Sequence, residues 1–210
     1  MGKLSRTMLG VFTFCLFKLS AQEFETIQIG NQTWMQENLD VERFRNGDLI
    51  PKVSDFEEWR KSYENEQPAW CYYENDSILG QKHGKLYNWY AVTDPRGLSP
   101  VGFHVPNKDE WEILFDTFKD TALTNGIDFW SNDVQNDHKG FRAIPSGGRF
   151  EEAAVEFFYY LNKEAWWWTT TEMDHHMAFC VSYNVKYDAR ISDYYKHTGM
   201  SVRCMKDVVP

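Results

Sequence analysis

The spacing of apolar and polar residues changes character several times along the chain, and each change predicts a different element. An apolar run over residues 8–17 follows the basic Lys3 and Arg6 and precedes the small residues Ser20 and Ala21. That order is the layout of a secretory signal, and the run is too short to cross a bilayer. Residues 1–21 are predicted to be a signal peptide, which sends the protein to the periplasm, the cell surface or the medium with no membrane span. Cys15 stands between Phe14 and Leu16, without the small neighbours of a lipidation site, so no lipid anchor is predicted.

Strict alternation comes next. Phe24, Thr26 and Gln28 oppose Glu25, Ile27 and Ile29, and Gly30-Asn31 is a turn signal before QTWM. This predicts a β-hairpin over residues 24–35. Two helical periods follow. In VSDFEEWRKSYEN, Ser54 with Glu57 three residues on reads as a capping box, and Phe56, Trp59 and Tyr63 share a face. In VPNKDEWEILFDTFKDTAL, Asn107 is the predicted cap with Glu110 at the third helical position, and Trp111, Leu114, Phe115, Phe118 and Ala122 form one stripe. From about Gly140 the runs become short, aromatic and β-branched: GFRAIPSGGRF, AWWWTTTE, MAFCVSYNVKY and GMSVRCMKD. These predict antiparallel strands. A hairpin and two helices packed on a strand-rich C-terminal half is an α+β pattern. No linker or repeat divides it, so residues 23–207 read as one domain.

Composition narrows the partners. The 210 residues are 42% hydrophobic and 17% aromatic, ample for a core. The net charge is −9, and removing residues 1–21 leaves 19 bases against 31 acids, a net of −12. So acidic a surface repels phosphate backbones, which excludes nucleic acid as a natural partner.

Candidate chemistry is sparse. Trp166, Trp167 and Trp168 are consecutive, so on a strand Trp166 and Trp168 face one side and Trp167 the other, and at least two of the rings should be structural. The four residues Glu172, Asp174, His175 and His176 could suggest a metal, yet adjacent strand histidines diverge and no H-E-x-x-H spacing occurs; a solvated loop is expected. No G-x-S-x-G elbow is present, and acidic pairs such as Glu151-Glu152 are expected by chance among 31 acids. Cys71, Cys180 and Cys204 remain after the signal; an oxidising compartment favours one disulfide and one thiol.

Several motifs in order, IGNQTWMQENLD, FRNGDLIP, AWCYYEND, GKLYNWYAVTDPRGLSPVGFHVPNKDEW, GFRAIPSGGR, WWTTTE and SVRCMKD, resemble the Fibrobacter succinogenes major paralogous domain family over about residues 29–207. The resemblance implies a C-type-lectin-like fold, shared with formylglycine-generating enzymes, in exported or surface proteins of Bacteroidetes and Fibrobacteres. It implies a disulfide between Cys71 and Cys204, because lectin-like folds return their last strand to the domain's start. Cys180 is then a buried thiol; Cys180–Cys204 is the competing pair. Such a bridge would stabilise by roughly 4 kcal/mol on the chain-entropy account. Asn88 and His104 lie in family motifs and are expected to satisfy backbone groups at element ends.

The lectin sugar motif that binds calcium is not matched. Gln67-Pro68-Ala69 lacks the carboxylate, and Trp130-Ser131-Asn132-Asp133 is interrupted and precedes WWTTTE. Asn132, Asp133, Asn136 and Asp137 are the remaining calcium candidates, and no cofactor is expected. The copper-binding cysteine pair of the formylglycine-generating relatives also has no counterpart, since Cys180 and Cys204 are 24 residues apart. What the resemblance supports is a non-catalytic binding or adhesion module whose partner is a glycan or a surface protein. Trp130, Tyr159, Tyr160 and Trp166, from a stretch expected to form a variable loop, are the candidate stacking rings, and residues 121–137 are expected to be exposed. A structural part of a surface assembly is the alternative, and a divergent oxidase a third.

Overall fold

The computed structural model describes residues 23–119, 140–152, 155–184 and 188–208. The predicted signal peptide lies outside them. The hairpin forms as expected: β1 (Thr26–Ile29) pairs antiparallel with β2 (Gln32–Met35), and Gly30 turns the chain at φ +58°. α1 (Phe56–Glu64) buries Trp59, but its cap is Asp55, which accepts from the Glu58 amide at 3.0 Å. Ser54, the expected cap, sits one residue outside the helix, and its carbonyl accepts from Arg149 and Asn75. A carboxylate at the helix N-terminus also gains from the dipole, which a hydroxyl does not.

Between the helices lie β3 (Trp70–Cys71), a 3₁₀ turn (Tyr73–Asn75), α2 (Ser77–His83), β4 (Leu86–Tyr87), α3 (Trp89–Val92) and β5 (Phe103–His104). α4 (Lys108–Lys119) carries the full capping box: Glu110 N donates to Asn107 Oδ1 at 2.9 Å, and Asn107 N to Glu110 Oε2 at 2.8 Å. Trp111 and Leu114 are buried, Phe115 and Phe118 partly so, and Ala122 lies outside the described residues.

The C-terminal half is strand-rich, which makes the class α+β. β6 (Ser146–Glu152) pairs with β7 (Val155–Leu161), and β8 (Glu164–Glu172), β9 (Met177–Asn184) and β10 (Asp188–Tyr195) form an antiparallel sheet in the order β10-β9-β8. β11 (Met205–Lys206) lies between β2 and β5. The run GMSVRCMKD is thus a strand only at its end. Residues 199–204 form a strap instead, bonded in turn to β6, β4, β8 and β2: Arg149 N to Gly199 O at 2.9 Å, Tyr87 N to Met200 O at 2.8 Å, Trp168 N to Ser201 O at 3.1 Å and Met35 N to Cys204 O at 3.0 Å. The strap thus ties together four strands that are far apart in the chain.

Alternation along β8 divides the tryptophans as expected. Trp166 and Trp168 enter a cluster with Met35, Phe44, Trp70, Tyr87 and Phe150. Trp167 enters the opposite cluster with Trp34, Trp111 and Phe141, stacking on Trp111 at 5.6 Å. Arg203 of the strap is wholly buried among them. Its guanidinium donates to Asn38 Oδ1 and to the carbonyls of Met35, Phe141 and Arg142 at 2.7–3.0 Å, and lies 4.7 Å from the Phe141 ring centre. Burial pulls its pKa down to about 9.

Candidate functional site

The β6–β7 hairpin carries two exposed aromatic rings beside a strained backbone. Its register pairs Ser146 with Leu161 and Gly148 with Tyr159, which places Gly147 opposite Tyr160. Both take left-handed conformations, Gly147 at φ +61° and Tyr160 at φ +72°. Adjacent residues of a regular strand point to opposite faces. The left-handed turn at Tyr160 re-aims its ring, so that its centre lies 5.6 Å from that of Tyr159 with the planes at 51°. A bulky residue at such φ costs about 1–3 kcal/mol, a strain found mostly at working sites.

Each of the two tyrosines is 42% exposed. Tyr159 lies parallel to Phe157, at 5.2 Å and 10°. Tyr160 leans on Trp166 at 6.2 Å and 30°, and meets Phe150 edge-on at 5.8 Å. Phe150, Trp166 and Tyr194 are mutually edge-to-face at 5.3–5.8 Å, which gives the tyrosine a rigid backing. Beside this group, Glu164 accepts from Trp166 Nε1 at 3.1 Å and from Asn184 Nδ2 at 2.8 Å. Exposed rings on a rigid backing can stack on an apolar ligand face.

The structure corrects several expectations here. Trp166 is not an exposed ring: it is 6% exposed, because Phe150 and Tyr160 of the hairpin cover it, and all three tryptophans are core. Tyr159 and Tyr160 belong to a strand and not to a variable loop. Trp130 and the calcium candidates Asn132, Asp133, Asn136 and Asp137, with the rest of residues 121–137, lie outside the described residues.

The disulfide does not form. Cys71, Cys180 and Cys204 are all free and buried. Cys71 sits under α1 with Trp59, Tyr73 and Leu86, whereas the strap carries Cys204 into the other cluster beside Met35, where Cys180 also lies. Burial pushes the Cys71 thiol up to about 11, that of Cys204 to about 12, and that of Cys180 upward as well. Thiols held protonated are poor nucleophiles and poor metal ligands.

Asn88 does what was expected of it. Fully buried, it caps α3 by accepting from Ala91 N at 3.1 Å and also accepts from Ala69 N at 3.0 Å. His104 does not. It pairs with two carboxylates, Nδ1 with Asp207 at 2.8 Å and Nε2 with Glu110 at 3.0 Å, tying β5 to α4 and to the residue that follows β11. These bonds, led by that to Glu110, raise its pKa. The Asp174-His175-His176 segment is an exposed bend in which Asp174 accepts from the His176 and Met177 amides. Among the described residues no three His, Cys, Asp or Glu side chains are grouped to hold a metal. Glu151 stands opposite Glu156 in the hairpin, and Glu156 pairs with buried Arg149.

Sequence reasoning missed the left-handed pair, although Gly147-Gly148 inside a strand-like run is the signal for a bulge. It also missed the buried cations Lys85, Arg149, Lys196 and Arg203, each set over an aromatic ring. Away from the hairpin, Glu23, Glu25, Glu37 and Asp40 line an open recess of about 360 Å³ together with the apolar Phe24, Met35, Leu39 and Val41. No helix among the described residues is long and apolar enough to cross a membrane.

Compared with known proteins, no curated protein and no solved structure matches the chain. The family model of the Fibrobacter succinogenes major domain matches residues 27–206, from the first hairpin to β11 and through the strap and the tyrosine-bearing strand. The chain therefore belongs to the Fibrobacter succinogenes major domain family.

Proposed function

We propose that the protein is an exported, non-catalytic binding module that contacts carbohydrate through the Tyr159–Tyr160 face. The observation that carries this reading is the left-handed Tyr160, whose strained backbone brings two neighbouring exposed rings to 5.6 Å on a rigid aromatic backing. Exposed rings of this kind can stack on the apolar face of a sugar. The basic-then-apolar N-terminus supports export. A C-type-lectin-like architecture fits the return of β11 to the first hairpin. The three buried, protonated thiols favour binding over the copper chemistry of the formylglycine-generating relatives.

The test is a glycan-array and insoluble-polysaccharide screen with the purified protein, run with calcium and again with EDTA. Binding that survives EDTA and falls at least tenfold in Tyr160→Ala supports the reading. Binding abolished by EDTA moves the site to the acidic segment around Asn132 and Asp137. Absence of binding to any glycan overturns it in favour of a protein partner. That second reading has its own observation: among the described residues β7 is laddered on one side only.

A further inference from the structure

We infer that β7 pairs edge to edge with β7 of a second copy of this chain, in an antiparallel register centred on Phe157. Among the described residues β7 is laddered to one strand only, β6. Its sequence, VEFFYYL, is rich in the residues that strands favour and carries one charge. No residue in it is fully buried, and Val155 is half exposed. A long apolar edge with open amides and carbonyls is a template for another strand, and folds that stay monomeric blunt such edges with lysines, prolines or a covering element. Among the described residues the blunting is slight: one glutamate, and the kink at Tyr160 that ends the regular stretch.

The sequence of the strand selects its own copy as the occupant. A two-fold pair makes each contact twice, residue i with j and j with i. Keeping each face of the sheet continuous puts the axis on a residue. Centring on Glu156 would set two carboxylates face to face, which is destabilising. Centring on Phe158 would draw the left-handed Tyr160 into the ladder. Centring on Phe157 avoids both. Phe157 meets Phe157, Val155 meets Tyr159, and each Glu156 meets Phe158. Because Phe157 and Tyr159 already lie parallel at 5.2 Å, this register carries their stack across the axis into a row of four rings. Edge pairing adds strands beside the sheet and covers neither face, so two Tyr159–Tyr160 groups would stand on one surface and a polymeric ligand could engage both.

The experiment uses Phe157→Lys and Phe157→Asp, each checked for its fold by circular dichroism. Sedimentation velocity across the micromolar range should show a dimer for the wild type and a monomer for each variant alone. An equimolar mixture of the two should restore the dimer, since only at the axis does a residue face its own copy. Val155→Lys should weaken the dimer without showing rescue by Phe157→Asp, because position 155 faces Tyr159. A wild type that stays monomeric, or a dimer that persists in both Phe157 variants, would overturn the inference. Loss of the dimer without rescue in the mixture would overturn the register.

Discussion

Alanine at Gly147 tests whether the hairpin is held in its unusual shape by the absence of one carbon atom. Gly147 has φ +61°, and a Cβ added there would lie far inside contact of the Tyr159 carbonyl oxygen and 2.8 Å from the Leu161 nitrogen and Tyr73 Cε2. Two costs add. The left-handed conformation of an L residue costs about 1–2 kcal/mol. Overpacking against atoms that cannot retreat costs about 1–3 kcal/mol more. The neighbours are two backbone atoms and a core ring, so relief has to come from moving the strand. We expect a loss of about 2–5 kcal/mol, measured by urea unfolding followed by tryptophan fluorescence. Gly102 is the control. It has φ +83°, and a Cβ added there would meet nothing within 4 Å, so Gly102→Ala should cost only the conformational part, about 1–2 kcal/mol. If the two variants lose the same stability, the close approach at Gly147 plays no part and the account of the Tyr160 kink fails. If both lose less than about 0.5 kcal/mol, the left-handed backbone itself is refuted.

Three further outcomes are expected. Arg203→Met should cost about 3 kcal/mol or more in the same unfolding assay, because the carbonyls of Met35, Phe141 and Arg142 lose their donor inside the core; a loss below about 1 kcal/mol would show that water replaces the guanidinium. Proton NMR titration should place His83 and His197 near 4, since burial depresses both, and His104 above its ordinary value. For the first two the unfolded chain binds more protons, so stability falls as pH drops from about 6.5 to about 4. His104 has the opposite sign: its contribution is complete below about 6.5 and is lost as pH rises through its raised folded value, so His104→Gln should flatten that limb. Ellman titration should find Cys71, Cys180 and Cys204 unreactive in the native protein and all reactive in denaturant; at most one reactive thiol in denaturant would restore the disulfide.

What could be read in the sequence follows the range of the interaction responsible. The α4 capping box involves residues three apart, and the β1–β2 turn is one dipeptide; both were visible in a short window. The sidedness of Trp166, Trp167 and Trp168 needed only the period of a strand. Their burial did not follow from it, since the cover over Trp166 comes from a hairpin whose position depends on the whole fold. The cysteines failed for the same reason. An oxidising compartment says that a bridge is permitted, and the strap decides which cluster Cys204 joins. Tyr159 and Tyr160 were picked out as aromatic residues, but their meeting at 5.6 Å depends on a left-handed φ that nothing in the dipeptide itself announces.

The strap over residues 199–204 also fixes an order of events. Each strand it ties, β2, β4, β6 and β8, precedes it in the chain, and its bonds to β2 span well over 150 residues. A nascent chain can form the first hairpin and the capped helices early, but the core has an open seam until the strap emerges. Contacts so distant in sequence are slow to find, and until then the aromatic faces of β8 are open to misassociation. A fragment lacking the strap therefore has no closed core with which to resist proteolysis.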